Sequence, residues 1–173
     1  MYKRITVLSI FIFSNYSFAE KIKNPLIDYN HFKSIVIKKN TVREPKRLTE
    51  SQFIKAIQSK DYILLDARSL KNYNLRHIQG AINLPFTEFD KKSLEKIIPN
   101  LNSKILIYCN NNFKGSPVSF EPKAPAASLN LSTQINLQAY GYNNVFELGP
   151  LLNIKTTKIK FSGTEVSQKN ITK

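Results

Sequence analysis

Along the chain, apolar positions alternate between two spacings. Thr49 followed three residues later by Gln52 forms a capping-box pattern, and Phe53, Ile54 and Ile57 then line one stripe of a helix. Tyr62-Ile63-Leu64-Leu65 is a continuous apolar run ending at Asp66, the pattern of a strand buried on both faces. A short helical turn is expected over Leu70–Leu75, and a strand over Ala81–Leu84 stopped by Pro85. Thr87 is the expected cap of a helix reaching Ile98, with Phe89, Leu94, Ile97 and Ile98 inward. Ile105-Leu106-Ile107-Tyr108 is a second continuous strand, closed by Cys109.

The pattern then breaks. Asn110 to Pro125 carries three asparagines, a glycine and the prolines Pro117, Pro122 and Pro125, which keep a helix from starting at once. A helix is expected over Ala126–Tyr140 with Gly141 at its C-cap, then a strand over Asn144–Leu148. The stretch Glu20–Lys46 is polar and lysine-rich, with one expected strand, Ser34–Lys38. The tail, Lys155–Lys173, is polar, with a weak strand signal at Lys158–Phe161. Alternating strands and helices predict a parallel α/β sheet with helices on both faces, whose ligands bind outside the carboxyl ends of the strands. Asp66 and Cys109 both end core strands and are expected at that rim.

Composition narrows the chemistry. In 173 residues, 42% hydrophobic content is enough for a core, and one cysteine excludes a disulfide framework and multi-cysteine metal sites. His31, His77 and Cys109 are too few and too scattered for a metal centre, so no metal and no cofactor are expected. Twenty-six Lys and Arg against 12 Asp and Glu give a net charge of +14, which attracts anions. The lysines are scattered and form no basic helix with interleaved aromatics, so nucleic acid is not an expected partner.

At the start, Lys3 and Arg4 precede an apolar run, Ile5 to Phe13, and Ser17-Phe18-Ala19 offers small residues at a cleavage site. This is the layout of a signal peptide, too short for a permanent membrane span. Removing those 19 residues from 173 leaves 154, and losing Lys3 and Arg4 takes the charge from +14 to +12. The expected location is therefore periplasmic or secreted, where a single thiol must be buried or used. The expected division is a leader over 1–19, a basic extension over 20–46, a domain over 47–154 with a long loop over 109–125, and a tail over 155–173.

The segment Leu65-Asp66-Ala67-Arg68-Ser69, then Tyr73, then His77-Ile78-Gln79-Gly80-Ala81-Ile82-Asn83-Leu84-Pro85 resembles the rhodanese-like family. The strand ending in Cys109, the later Gly141-Tyr142-Asn143-Asn144-Val145 and Leu148-Gly149 follow in the family's order, so the resemblance spans about Arg47 to Ile154. It implies a doubly wound rhodanese-like fold, with Cys109 as a nucleophile that takes sulfane sulfur from a donor such as thiosulfate. The resulting persulfide would hand that sulfur to cyanide or a thiol. By position, Asn110, Asn111, Asn112, Phe113, Lys114 and Gly115 would form the cradle for the sulfur.

In the family the loop after the cysteine is short, often carries an arginine and leads straight into a helix. Here Cys109 is followed by Asn-Asn-Asn-Phe-Lys-Gly and a proline-rich insertion, so Lys114 or Lys123 is the expected source of positive charge. Asp66 and Arg68 are expected either to brace the loop and contact an anionic donor or to form a structural ion pair. His77 reads as structural, its ring bonded to backbone. Two functions follow: an exported sulfurtransferase acting on a small sulfur-containing anion and a thiol acceptor, or a catalytically weak or inactive rhodanese-fold module that binds a periplasmic protein partner through the inserted loop.

Overall fold

The computed structural model describes Ile22 and residues 24–166. The leader expected over 1–19 and the last part of the tail lie outside the described residues. Five parallel strands form the central sheet: β1 (Arg47–Leu48), β2 (Tyr62–Asp66), β4 (Ile82–Asn83), β5 (Lys104–Tyr108) and β7 (Val145–Leu148), in the order β1-β7-β5-β2-β4. Strand β3 (His77–Ile78) lies between β2 and β4 in the chain and pairs elsewhere.

The two-residue period of the strands divides the core. Leu64, Leu106, Tyr108 and Leu148 face one way, against Phe53 and Ala56 of α2 (Glu50–Gln58). Leu65, Ile105, Ile107 and Val145 face the other way, against Leu94 of α4 (Lys91–Ile97), Ile98 and Leu137 of α5 (Leu129–Ala139). Helices therefore cover both faces, as the continuous apolar strands require. The short helix α3 (Leu70–Leu75) falls where it was expected.

Thr49 caps α2 through a complete capping box with Gln52. Helix α4 starts later than expected. Asp90, not Thr87, is its cap, accepting from the Ser93 N–H at 2.7 Å. Residues Phe86–Glu88, with Thr87 among them, form a separate 3-10 turn. A second correction concerns the N-terminal extension. The expected strand Ser34–Lys38 lies inside helix α1 (Tyr29–Val42), which is capped by the Asp28 carboxylate. Ile35 and Lys39, one helical turn apart, are its buried residues, and α1 packs on α5. This packing overrides the β-propensity of Ile35-Val36-Ile37.

The sequence after Cys109 is ordered. Asn110–Asn112 form a 3-10 turn, and β6 (Phe113–Lys114) pairs in parallel with β8 (Leu152–Asn153). A further 3-10 turn, Pro125–Ala127, precedes α5. At the other end of α5, Gly141 takes φ +95°, and the Gly141 and Tyr142 N–H groups bond back to Gln138 and Leu137. In the tail, β9 (Phe161–Ser162) pairs antiparallel with β3, so the strand lies at the end of the expected Lys158–Phe161 stretch.

Candidate active site

Cys109 follows β5 with extended backbone, φ −146° and ψ −174°. The alternation of β5 therefore continues through it, and its side chain leaves the sheet on the side of Ile105 and Ile107, toward α5. Asp66 is in register with Tyr108 and takes the opposite side, with Leu64. The two residues share a rim, as the strand ends required, but the pleat separates their side chains.

On the Asp66 side lies a buried ion pair. The Arg68 Nε donates to Asp66 Oδ1 at 2.9 Å, and its Nη2 donates to Oδ2. The Tyr108 hydroxyl donates to the same carboxylate. Arg68 also donates to the carbonyls of Ser119 and Arg76, both at 2.8 Å, and its guanidinium lies 4.4 Å from the centre of the Phe120 ring. Burial opposes the Arg68 charge, but the bonds and charge of Asp66 outweigh it and hold the guanidinium proton more firmly than usual. Of the two roles open to this pair, the geometry gives the structural one: Arg68 ties β2 to the insertion through Ser119. Neither residue lines the cavity at Cys109. His77 bonds through Nδ1 to the Tyr73 carbonyl at 2.8 Å and stacks on the Tyr73 ring, as its structural reading required.

On the other side, the Cys109 sulfur is buried, with the residue 1% exposed, on the wall of a cavity of about 300 Å³. The Asn112 N–H donates to the Cys109 carbonyl at 3.1 Å, and the Cys109 N–H donates to Asn112 Oδ1 at 2.9 Å, which closes the turn that carries the sulfur. Ser128, the residue before α5, makes no cap hydrogen bond. Its hydroxyl instead lies 3.4 Å from the sulfur. The N-terminal end of an 11-residue helix thus stands beside the sulfur, where it favours negative charge.

The insertion makes this contact by looping out and returning. Asn110 Nδ2 donates to the Glu121 carbonyl, and Asn111 exchanges two hydrogen bonds with the backbone of Lys123. Phe113 and Phe120 pack against Phe161 in the core.

The expected cradle is therefore only partly assembled at the sulfur. Asn111 and Asn112 line the cavity. Asn110 and Lys123 line a neighbouring one, with Arg68. Phe113 is a core residue, Lys114 is exposed on β6, and Gly115 sits in the following turn at φ +93°. The expected lysines are thus absent from the walls of the sulfur cavity, because the β6–β8 pairing carries Lys114 away and Asn111 ties Lys123 outside it. The cations there are Arg43, just after α1, and Arg47, in β1. Between them stands Glu147 of β7, 2% exposed, with its Oε1 2.7 Å from Arg43 Nη2 and 3.4 Å from Arg47 Nε. Burial pushes the Glu147 carboxyl above its ordinary range, against the opposing pull of both arginines.

Sequence reasoning did not single out Ser128, Glu147, Arg43 or Arg47. Two signals were present: a serine immediately before a helical run, and one carboxylate within an apolar strand. Among the described residues no cluster of three His, Cys, Asp or Glu side chains could hold a metal ion, and no helix is long and apolar enough to cross a membrane.

Comparison with known proteins agrees with this architecture. The chain is 28% identical over 96 residues to the thiosulfate sulfurtransferase PspE of Escherichia coli, an alignment covering 56% of this chain and 77% of that protein. It is 30% identical over 101 residues to the adenylyltransferase and sulfurtransferase UBA4 of Candida glabrata, covering 52% of this chain but only 23% of the longer protein. Among solved structures, the rhodanese-like domain of the Alr3790 protein of Anabaena sp. superposes with a TM-score of 0.52 at 17% identity, over 71% of this chain and 83% of that one. The profile of the rhodanese-like domain matches residues 49–148, from the cap of α2 to the end of β7. The chain belongs to the rhodanese-like domain family.

Proposed function

We propose that this protein is a sulfurtransferase in which Cys109 carries sulfane sulfur from a small anionic donor, such as thiosulfate, to a thiol or cyanide. In the first step the Cys109 thiolate attacks the outer sulfur of thiosulfate. A new S–S bond forms, the bond between the two donor sulfurs breaks, and sulfite leaves with the electron pair. In the second step cyanide or a thiolate attacks the terminal sulfur of the persulfide. Thiocyanate or a new persulfide departs, and the Cys109 thiolate is restored.

The observation that carries this reading is the position of the Cys109 sulfur: on a cavity wall at the carboxyl rim of the sheet, 3.4 Å from the Ser128 hydroxyl that precedes α5. That hydroxyl and the start of α5 complement the negative charge of a thiolate or terminal persulfide. The resemblance to the Escherichia coli thiosulfate sulfurtransferase supports the same chemistry. The reading includes export, with Met1–Ala19 as the leader, so that the protein works in the periplasm or outside the cell. A partner-binding module without activity has no specific observation in its favour, since the insertion that motivated it is bonded to the domain through Asn110, Asn111 and Arg68.

The test is turnover. Purified protein given thiosulfate and cyanide is expected to release thiocyanate, detected as its coloured iron complex, and Cys109→Ser is expected to fall to background. Equal thiocyanate release by both proteins, or none by either, would refute the proposal.

A further inference from the structure

The family loop supplies its positive charge from within, but Asn110–Gly115 holds no arginine, and its lysine points away from the sulfur cavity. Positive charge reaches that cavity from outside the matched residues 49–148. Arg43 and Arg47 come from the segment joining α1 to β1, which α1 holds in place by packing on α5.

Their hydrogen bonding is unequal. Arg47 is largely committed: its Nη1 donates to both carboxylate oxygens of Glu44 at 3.2 Å, and its Nη2 donates to the Gly149 carbonyl at 3.3 Å. Arg43 is held by ion pairs alone, closely through Nη2 to Glu147 at 2.7 Å and loosely through Nη1 to Glu44 at 3.9 Å, and its buried Nε–H has no acceptor among the described residues. A guanidinium with an unused donor, a second one beside it and a sulfur share one small polar space. Lys39, also buried beside Glu147, adds a further positive charge to the surroundings. Two carboxylates offset these charges: the exposed Glu44, which pairs with both arginines, and the buried Glu147 on the cavity wall, which holds Arg43 most closely.

We propose that Arg43 and Arg47, supplied by the segment ahead of the family domain, bind the oxyanion end of a small sulfur-donor anion and so direct its sulfane sulfur at Cys109. Glu147 is a positioning residue that sets the Arg43 guanidinium against the cavity. The inference rests on the sulfurtransferase reading for the use made of the anion, but not for the binding itself. The class of ligand follows from the space: about 300 Å³ is at the lower end of small-molecule sites and suits an inorganic anion better than a cofactor. Guanidinium groups match the oxygens of such anions in geometry as well as charge.

The test separates binding from transfer. In the unreactive Cys109→Ser background, thiosulfate is titrated into the protein and followed by NMR shifts. Saturable binding is expected, weakened about tenfold or more by Arg43→Gln and less by Arg43→Lys, with Arg47→Gln intermediate. Should Arg43→Gln fail to fold because Glu147 is stranded, the Arg43→Gln/Glu147→Gln variant removes the buried carboxylate of this cavity and carries the same expectation. Absence of saturable binding, or equal affinity in the arginine variants, would overturn the inference. Arginine-dependent binding without thiocyanate turnover by the wild type would overturn the sulfurtransferase reading alone. Turnover with arginine-independent binding would overturn only the role given to Arg43 and Arg47.

Discussion

The charged residues of the rim divide into two kinds according to what their donors are doing. Arg68 is 2% exposed and donates to a carboxylate and two carbonyls, so its charge is matched internally. Arg43 keeps a buried donor with no acceptor among the described residues, beside a cavity. The first arrangement makes a brace and the second makes a site. Removing the brace is expected to be costly, because Asp66 would remain as a buried charge with its strongest partner gone. Arg68→Met is expected to destabilise the fold by about 3–5 kcal/mol, the usual cost of breaking a buried pair, read as a lower urea midpoint. A loss below about 1 kcal/mol would place the pair among weakly coupled surface bridges instead.

At the scale of elements, the sulfur site depends on how α5 begins. The family's short path from cysteine to helix is replaced by an insertion that leaves the cysteine, pairs as β6 with β8, and returns through Pro125–Ala127. The return brings Ser128 to the sulfur while leaving its hydroxyl unused by the helix backbone. Ser128→Ala should therefore cost little stability, since no cap bond is lost. It is expected to slow sulfur loading about two- to tenfold, the worth of a hydrogen bond of about 0.5–1.5 kcal/mol. A stability loss with unchanged loading would reverse that assignment.

What the sequence revealed at this scale was uneven for physical reasons. The buried strands and the α2 cap were legible because continuous apolar runs and a capping box are local signals. Helix α1 was not, because Ile35-Val36-Ile37 favours a strand locally and only packing on α5 makes it helical. The start of α4 was misread because two successive cap candidates, Thr87 and Asp90, compete, and Asp90 wins by its exchange with Ser93. Cys109 was legible as a strand-end residue. Its separation from Asp66 could have been counted from the pleat, since one residue of offset in register puts side chains on opposite faces. Arg43 and Arg47 could not, because they reach the cavity only through the tertiary seat of α1.

Over the whole molecule, the excess of positive charge in the sequence finds a local expression around Glu147. Burial raises the Glu147 carboxyl above its ordinary value of 4.5. A carboxyl raised on folding contributes stability that is full below the unfolded value and is lost as pH rises through the folded one. Glu165 works in the opposite sense. Burial would raise its carboxyl, but hydrogen bonds from Ser116, Ser119 and Arg76 outweigh this and hold it lower, so its contribution is present above 4.5 and lost in acid. Comparing Glu147→Gln with wild type cancels the Glu165 contribution. The melting temperature of the variant relative to wild type is expected to climb as pH rises above the ordinary carboxyl value of 4.5. A difference that stays flat over that range would mean that Glu147 titrates like an ordinary surface carboxylate.

The central claim is that the Cys109 sulfur is reachable from its cavity and nucleophilic there. It is tested most directly by incubating the purified protein with thiosulfate, removing the excess and weighing the intact chain. A gain of one sulfur atom, about 32 Da, reversed by cyanide and absent in Cys109→Ser, is expected. An unchanged mass, or the same gain in Cys109→Ser, would contradict the claim.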